Sequence, residues 1–210
     1  MNAIKLKICG VQSVDEARRL REAKVDLIGL NFVPSSARRI SIDMAELIIA
    51  ELRSSGVKSV ALFADKPIAM VNDYADRLEI DYVQLHGGES SDYAAKIKAS
   101  VIRAVAVRPN QSANQILTYI NAFPADYFVL DRHRQGEGDL VDDKLAGQII
   151  AAKPGKVFLA GGLNPQNLAG VLARLHPYGI DIASGVRRGS SLDMVKVLSC
   201  LEILAGAGAN

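Results

Sequence analysis

The chain has 210 residues, which fits a single domain near the short end of the range for an eight-fold strand–helix barrel. A hydrophobic share of 49% is enough for a large core, and a formal net charge of +2 is too small to make nucleic acid or an acidic membrane surface the main partner. Two cysteines, Cys9 and Cys200, make no disulfide framework and predict reduced thiols in a cytoplasmic protein. The first residues read as a strand without signal-peptide pattern, and no apolar run approaches the ~20 residues of a membrane span.

Taken in order, apolar runs at residues 4–8, 27–32, 59–63, 82–85, 101–107, 127–130, 157–160 and 180–183 predict strands. They are mostly continuous rather than alternating, as expected of parallel strands buried on both faces. Helical stripes lie between them, such as Val14, Ala17 and Leu20, then Ile42, Ala45, Ile48, Ile49 and Leu52. Helix-start signals agree: Ser13 before an acidic first turn, Ser41 with Asp43, and Asn164 followed by Pro165. Eight repeats average about 26 residues each, tight for a strand-plus-helix unit but workable. A doubly wound open sheet competes, but it favours a glycine-rich turn after its first strand, where this chain has Cys9-Gly10. The expected fold is therefore α/β: a single (β/α)8 barrel with a parallel eight-stranded sheet over residues 1–204. Residues 205–210, Ala-Gly-Ala-Gly-Ala-Asn, read as a loose tail.

In such a barrel, chemistry sits where strands end. Phe158-Leu-Ala-Gly-Gly-Leu-Asn-Pro165 and Ile180-Asp-Ile-Ala-Ser-Gly-Val186 each break from apolar residues into small ones ahead of helix-like sequence. Glycine removes the Cβ that would hold an anion away, so bare N–H groups at two neighbouring strand-to-helix turns predict a phosphate site. The remaining strand ends supply Cys9, Asn31 with Arg38, Asp65, His86, Arg108, Asp131 and Asp181. No His/Cys/Asp/Glu cluster has metal-ligand spacing, and no dinucleotide or Walker motif is present. The expectation is chemistry without metal or cofactor on a small phosphorylated molecule, with Cys9 and Asp131 as the natural acid–base pair. Cys200 shares an apolar helical stripe with Val197 and Leu201, so packing accounts for it. His86 reads equally as a pocket-lining residue or as a structural hydrogen-bonding one.

Six segments in register resemble the phosphoribosylanthranilate isomerase family: Lys7-Ile-Cys-Gly10, Phe32-Val-Pro-Ser-Ser-Ala-Arg-Arg-Ile-Ser41, Tyr82-Val-Gln-Leu-His-Gly87, Val129-Leu-Asp131, Leu159-Ala-Gly-Gly-Leu-Asn-Pro165 and Asp181-Ile-Ala-Ser-Gly-Val186. The resemblance implies an Amadori rearrangement of N-(5′-phosphoribosyl)anthranilate in tryptophan biosynthesis by a monomer or homodimer. By family position Asp131 is the general acid, Cys9 the general base, and Arg38 the residue that holds the anthranilate carboxylate. His86, Gly161, Gly162, Asp181, Ser184 and Gly185 are the expected substrate-binding set. An acid working near neutral pH needs a pKa raised from about 3.9, and a thiol base one lowered from about 8.5.

The chain departs from the family's pattern in two loops. After Asp131 it reads Arg-His-Arg-Gln-Gly-Glu-Gly-Asp139, shorter than usual and without the aromatic helix start. Arg187 stands where the family usually has glutamate, and Leu192-Asp193 replaces the usual Lys-Asp. Gly136 and Gly138 could hinge a lid there, and an inward Arg132 or Arg134 would favour ionised aspartate. These departures leave two rival readings open: a paralogue acting on another phosphosugar, or a non-catalytic phosphometabolite-binding barrel.

Overall fold

The computed structural model describes residues 3–108, 110–132 and 142–207. Its strands are β1 (Lys5–Cys9), β2 (Leu27–Asn31), β3 (Lys58–Phe63), β4 (Tyr82–Leu85), β5 (Ser100–Val107), β6 (Tyr127–Arg132), β7 (Val157–Leu159) and β8 (Gly179–Ile182). They pair in chain order as a closed parallel barrel. Between and after them run α1 (Val14–Glu22), α2 (Ile42–Leu52), α3 (Ile68–Leu78), α4 (Ser91–Ala94), α5 (Ala113–Ala122), α6 (Asp143–Ala152), α7 (Pro165–Leu172) and α8 (Met194–Ala207). The architecture is the expected (β/α)8 barrel. Sequence explains it locally: all five residues of β2 are buried, as a strand covered on both faces requires.

Helix starts follow the capping signals. Ser13 Oγ accepts from the Glu16 N–H, and Ser41 Oγ from the Met44 N–H. Asn164 closes a reciprocal capping box with Asn167, and Pro165 occupies the first turn where its missing N–H costs nothing.

One feature differs from expectation, and two others were not foreseen. The last helix runs through Ala207, so residues 205–207 of the expected tail are helical; alanine favours helix, and a single exposed Gly206 costs only about 1 kcal/mol. Helix α4 is a single turn, five residues short of β5. A small hairpin, β9 (Arg187–Arg188) with β10 (Ser191–Leu192), follows β8. Its tight turn uses Gly189 at φ +62°, a conformation a residue with a Cβ rarely adopts.

The chain divides into two compact units, each with its own internal order. One comprises Lys7–Ala104 and Ala122–Tyr127. In it the register sets Cys9 beside Gly29, Asn31 beside Leu62, Leu62 beside Gln84, and Gln84 beside Ile102. Its most demanding feature is a buried ion pair: Arg103 Nη1 lies 2.7 Å from Glu89 Oε2, with both side chains at most 9% exposed. Arg103 Nη2 donates to the Gly87 carbonyl, and the guanidinium lies 5.0 Å from the Phe123 ring centre. Glu89 accepts from the Asp65 and Gly87 N–H groups, and Asp65 accepts from the Gly88 N–H. One charge pair thus fixes the loops after β3 and β4. Burial, then the charges of Glu89 and Asp65, pushes the nearby Tyr93 hydroxyl above its ordinary pKa; that hydroxyl donates to the Lys66 carbonyl.

The other unit comprises the described parts of Met1–Leu6, Val105–Asn121 and Phe128–Asn210. Within it the Lys5 N–H donates to Tyr178, and the Phe128 N–H to Lys156. Gly179 is glycine for space: a Cβ there would overlap the Phe158 ring, which meets Tyr178 edge-on at 5.3 Å.

Because removing one partner strands a buried charge, Arg103→Met should destabilise the fold by about 3–5 kcal/mol, read as a lowered urea midpoint. A change below 1 kcal/mol would mean the pair is decorative.

Candidate active site

In the first unit, the end of β1 and the loop after β2 come together. Cys9 ends its strand at 8% exposure. The Gly10 and Val11 N–H groups both donate to the Gly29 carbonyl, turning the chain away from the barrel. Beside the thiol stands Gly29, where a Cβ would lie 3.1 Å from Cys9 Sγ.

The β2–α2 loop carries Arg38. Asn31 Oδ1 accepts from the Val33 N–H, Ser36 Oγ from the Arg38 N–H, and the Ile40 N–H returns to the Asn31 carbonyl. The loop therefore comes back to β2, with Arg39 bridged to Asn31. Arg39 stays exposed, whereas Arg38 is half-buried and lies across Gly10. A Cβ on Gly10 would sit 2.6 Å from Arg38 Cδ and Nε, and Gly10 itself has φ +79°. Glycine is required there both for space and for backbone. Arg38 Nε is buried with no hydrogen-bond partner among the described residues. That donor lies against Gly10, the residue that follows Cys9 in the chain, and suits a planar carboxylate.

Strand β4 contributes Gln84 and His86. His86 is exposed just past the strand end, its N–H donating to the Phe63 carbonyl and its Nδ1 3.4 Å from Gln84 Nε2.

In the second unit, the turns after β7 and β8 abut. Gly161 and Gly162 take φ +87° and +74°. The side-chain amides of Asn164 and Asn167 both donate to the Gly162 carbonyl, which fixes that peptide plane. The Gly161 and Gly162 N–H groups have no acceptor among the described residues. Gly185, in the one-turn 3-10 helix Ser184–Val186, backs directly onto this loop: a Cβ there would overlap the Leu163 carbonyl oxygen and lie 3.0 Å from Asn164 Cβ. Two glycine turns thus share one patch, the geometry an oxyanion binds. Ser184 is exposed, and Asp181 is buried in β8 at 8%. Asp131 is half-buried within β6.

Of the atypical loops, residues 133–141 lie outside the described residues, and with them Arg134, Gly136 and Gly138. Arg187 is buried, its guanidinium donating to the Ser190 carbonyl across the hairpin, while Lys196 Nζ donates to the Arg187 carbonyl. Asp193 caps α8 and pairs with Arg188 at 3.1 Å. The departure at Arg187 therefore has a structural use in the hairpin. Cys200 is fully buried, and burial pushes its thiol up to about 11, as an inert core cysteine requires.

The sequence reading passed over several buried polar residues, and two of them lie on the strand face of Cys9. Lys7 has no exposed surface, and strand alternation gives it the same face as Cys9. Gln84 is 1% exposed. Only a polar residue inside an apolar run signalled either.

The closed parallel sheet with alternating helices puts the protein in the class of (β/α)8 barrels. Residues 6–202 match the family model for N-(5′-phosphoribosyl)anthranilate (PRA) isomerase, and the chain belongs to that family. An N-(5′-phosphoribosyl)anthranilate isomerase of Pelobacter propionicus is 34% identical over 202 residues, 95% of each chain. The phosphoribosyl anthranilate isomerase of Thermus thermophilus superposes with a TM-score of 0.84 at 29% identity, covering 97% of this chain and 99% of that one. A PRA isomerase in complex with reduced 1-(o-carboxyphenylamino)-1-deoxyribulose 5-phosphate gives 0.82 at 26% identity, with the same coverage.

Gly185→Ala should force the two glycine turns apart. We expect a lower melting temperature and inhibition by inorganic phosphate weakened by about tenfold, since one good oxyanion contact is worth about 1.4 kcal/mol. Unchanged phosphate inhibition would remove this patch from the site.

Proposed function

We propose that this chain is an isomerase of tryptophan biosynthesis that converts N-(5′-phosphoribosyl)anthranilate to 1-(2-carboxyphenylamino)-1-deoxyribulose 5-phosphate, with Asp131 as general acid and Cys9 as general base. The observation that carries the reading is Arg38. A half-buried guanidinium laid across Gly10, beside a thiol at a strand end, gives a receiver for the anthranilate carboxylate next to a base. The ends of β6, β7 and β8 carry the remaining groups that the reaction calls for. The glycine turns hold the phosphate, with Gly161, Gly162, Ser184 and Gly185 offering N–H groups. Asp181 and His86 complete the substrate-binding set.

The two side chains carry the proton transfers that open the ring and form the enol-amine. Asp131 donates a proton to the furanose ring oxygen as the C1′–O bond breaks, and the anilino nitrogen supplies the electron pair that forms the C=N bond. Cys9, as thiolate, takes the C2′ proton, and those electrons form the C1′=C2′ bond while neutralising the iminium. The resulting enol-amine tautomerises to the ketone. Asp131 is left ionised and Cys9 protonated, so both reset by exchange with solvent. With a working thiol at its centre, the enzyme belongs in a reducing compartment, the cytoplasm.

Anthranilate fluorescence with freshly generated substrate reads turnover directly. Asp131→Asn should cut kcat by about 10²-fold or more with the fold intact, and Cys9→Ser should lower kcat with little change in substrate affinity. Near-normal turnover in either would end that assignment. Arg38→Ala should mainly raise KM; an effect on kcat alone would contradict carboxylate binding.

A further inference from the structure

We propose that the Gln84 side-chain amide binds the ribosyl-amine part of the substrate, acting as a specificity residue that the motifs alone do not assign. The proposal rests on the isomerase reading above.

Gln84 is 1% exposed, and its neighbours Val83 and Leu85 are fully buried on the opposite strand face. Register places Gln84 beside Leu62 of β3 and Ile102 of β5, both buried and apolar. Leu62 in turn lies beside Asn31, two residues after the Gly29 that packs on Cys9 Sγ. Gln84 therefore shares the strand face that Cys9, Gly29 and Asn31 present, one step below His86 at the strand end.

One polar end of the amide meets His86 Nδ1 at 3.4 Å. The other, Oε1, is buried with no hydrogen-bond partner among the described residues. Turning the amide over exchanges the two ends and still leaves one unsatisfied. Burying an unpaired amide end is costly, and an apolar side chain of that size between Leu62 and Ile102 would carry no such cost.

The chemistry of the open end selects its partner. An amide oxygen accepts, and at neutral pH phosphate and carboxylate have no proton to give it. What the substrate can donate are ribose hydroxyls and the anilino N–H. Gln84 thus reads the neutral part of the molecule, and Arg38 its carboxylate.

The test compares wild type with Gln84→Leu, with Gln84→Met made in parallel because it keeps the length without either polar end. Binding of three probes is measured by titration: inorganic phosphate, anthranilate and reduced 1-(o-carboxyphenylamino)-1-deoxyribulose 5-phosphate. We expect the Kd for the reduced compound to rise about tenfold, the other two to stay as in wild type, and the melting temperature to hold or rise. An unchanged Kd for the reduced compound with a raised melting temperature would overturn the proposal, since a buried water would then suffice as partner. Equal weakening of all three probes in both variants would overturn it too, making Gln84 a packing residue. Wild type that neither turns over the substrate nor binds the reduced compound would instead bring down the isomerase reading, and this proposal with it.

Discussion

The constraint on which everything else rests is that parallel strands must be covered on both faces. Helices cover the outside and side chains fill the inside, so a strand such as β2 has no residue to spend on solvent. Polar groups can then emerge only at strand ends or be buried at a cost. This is why Cys9, His86 and Asp131 all fall within one residue of a strand terminus. Function is concentrated at the ends because the fold leaves it nowhere else.

Holding those ends still is a separate problem, and the chain solves it with polar crosslinks rather than bulk. Glu89 and Arg103 tie the loops after β3 and β4 through four hydrogen bonds. Asn164 and Asn167 fix the Gly162 peptide with their amides, and Ser36 and Asn31 shape the arginine loop. The Arg103–Glu89 bond is buried and stronger for that, and the others are partly shielded from water. Glycine is used where no other residue fits: Gly10 under Arg38, and Gly185 against Leu163. At both positions packing forbids a larger residue.

The inside of the first unit is less apolar than its stability would favour. Lys7 and Gln84 are both essentially without exposed surface. Buried polar side chains of this kind lower stability and fix geometry, the trade-off expected where a fold serves a reaction. Cys200 shows the contrast: the same residue type as Cys9, buried in a helix interface and with a thiol far too basic to react.

Local chemistry made much of this protein legible from its sequence. Continuous apolar runs located the eight strands to within a residue or two, and Ser13, Ser41 and Asn164 marked helix starts, because periodicity and capping act over three or four neighbours. Strand ends then followed, and with them the candidate residues. What the sequence could not decide is everything set by register and by contacts between distant segments. The return of the β2 loop sends Arg38 inward and Arg39 out; the close approach of Gly185 to Leu163 packs two glycine turns together; and pairing with Leu62 and Ile102 buries the Gln84 amide. Arg103 and Glu89 find each other across 14 residues of chain. No local pattern encodes such meetings, because they exist only once the barrel has brought its strands side by side.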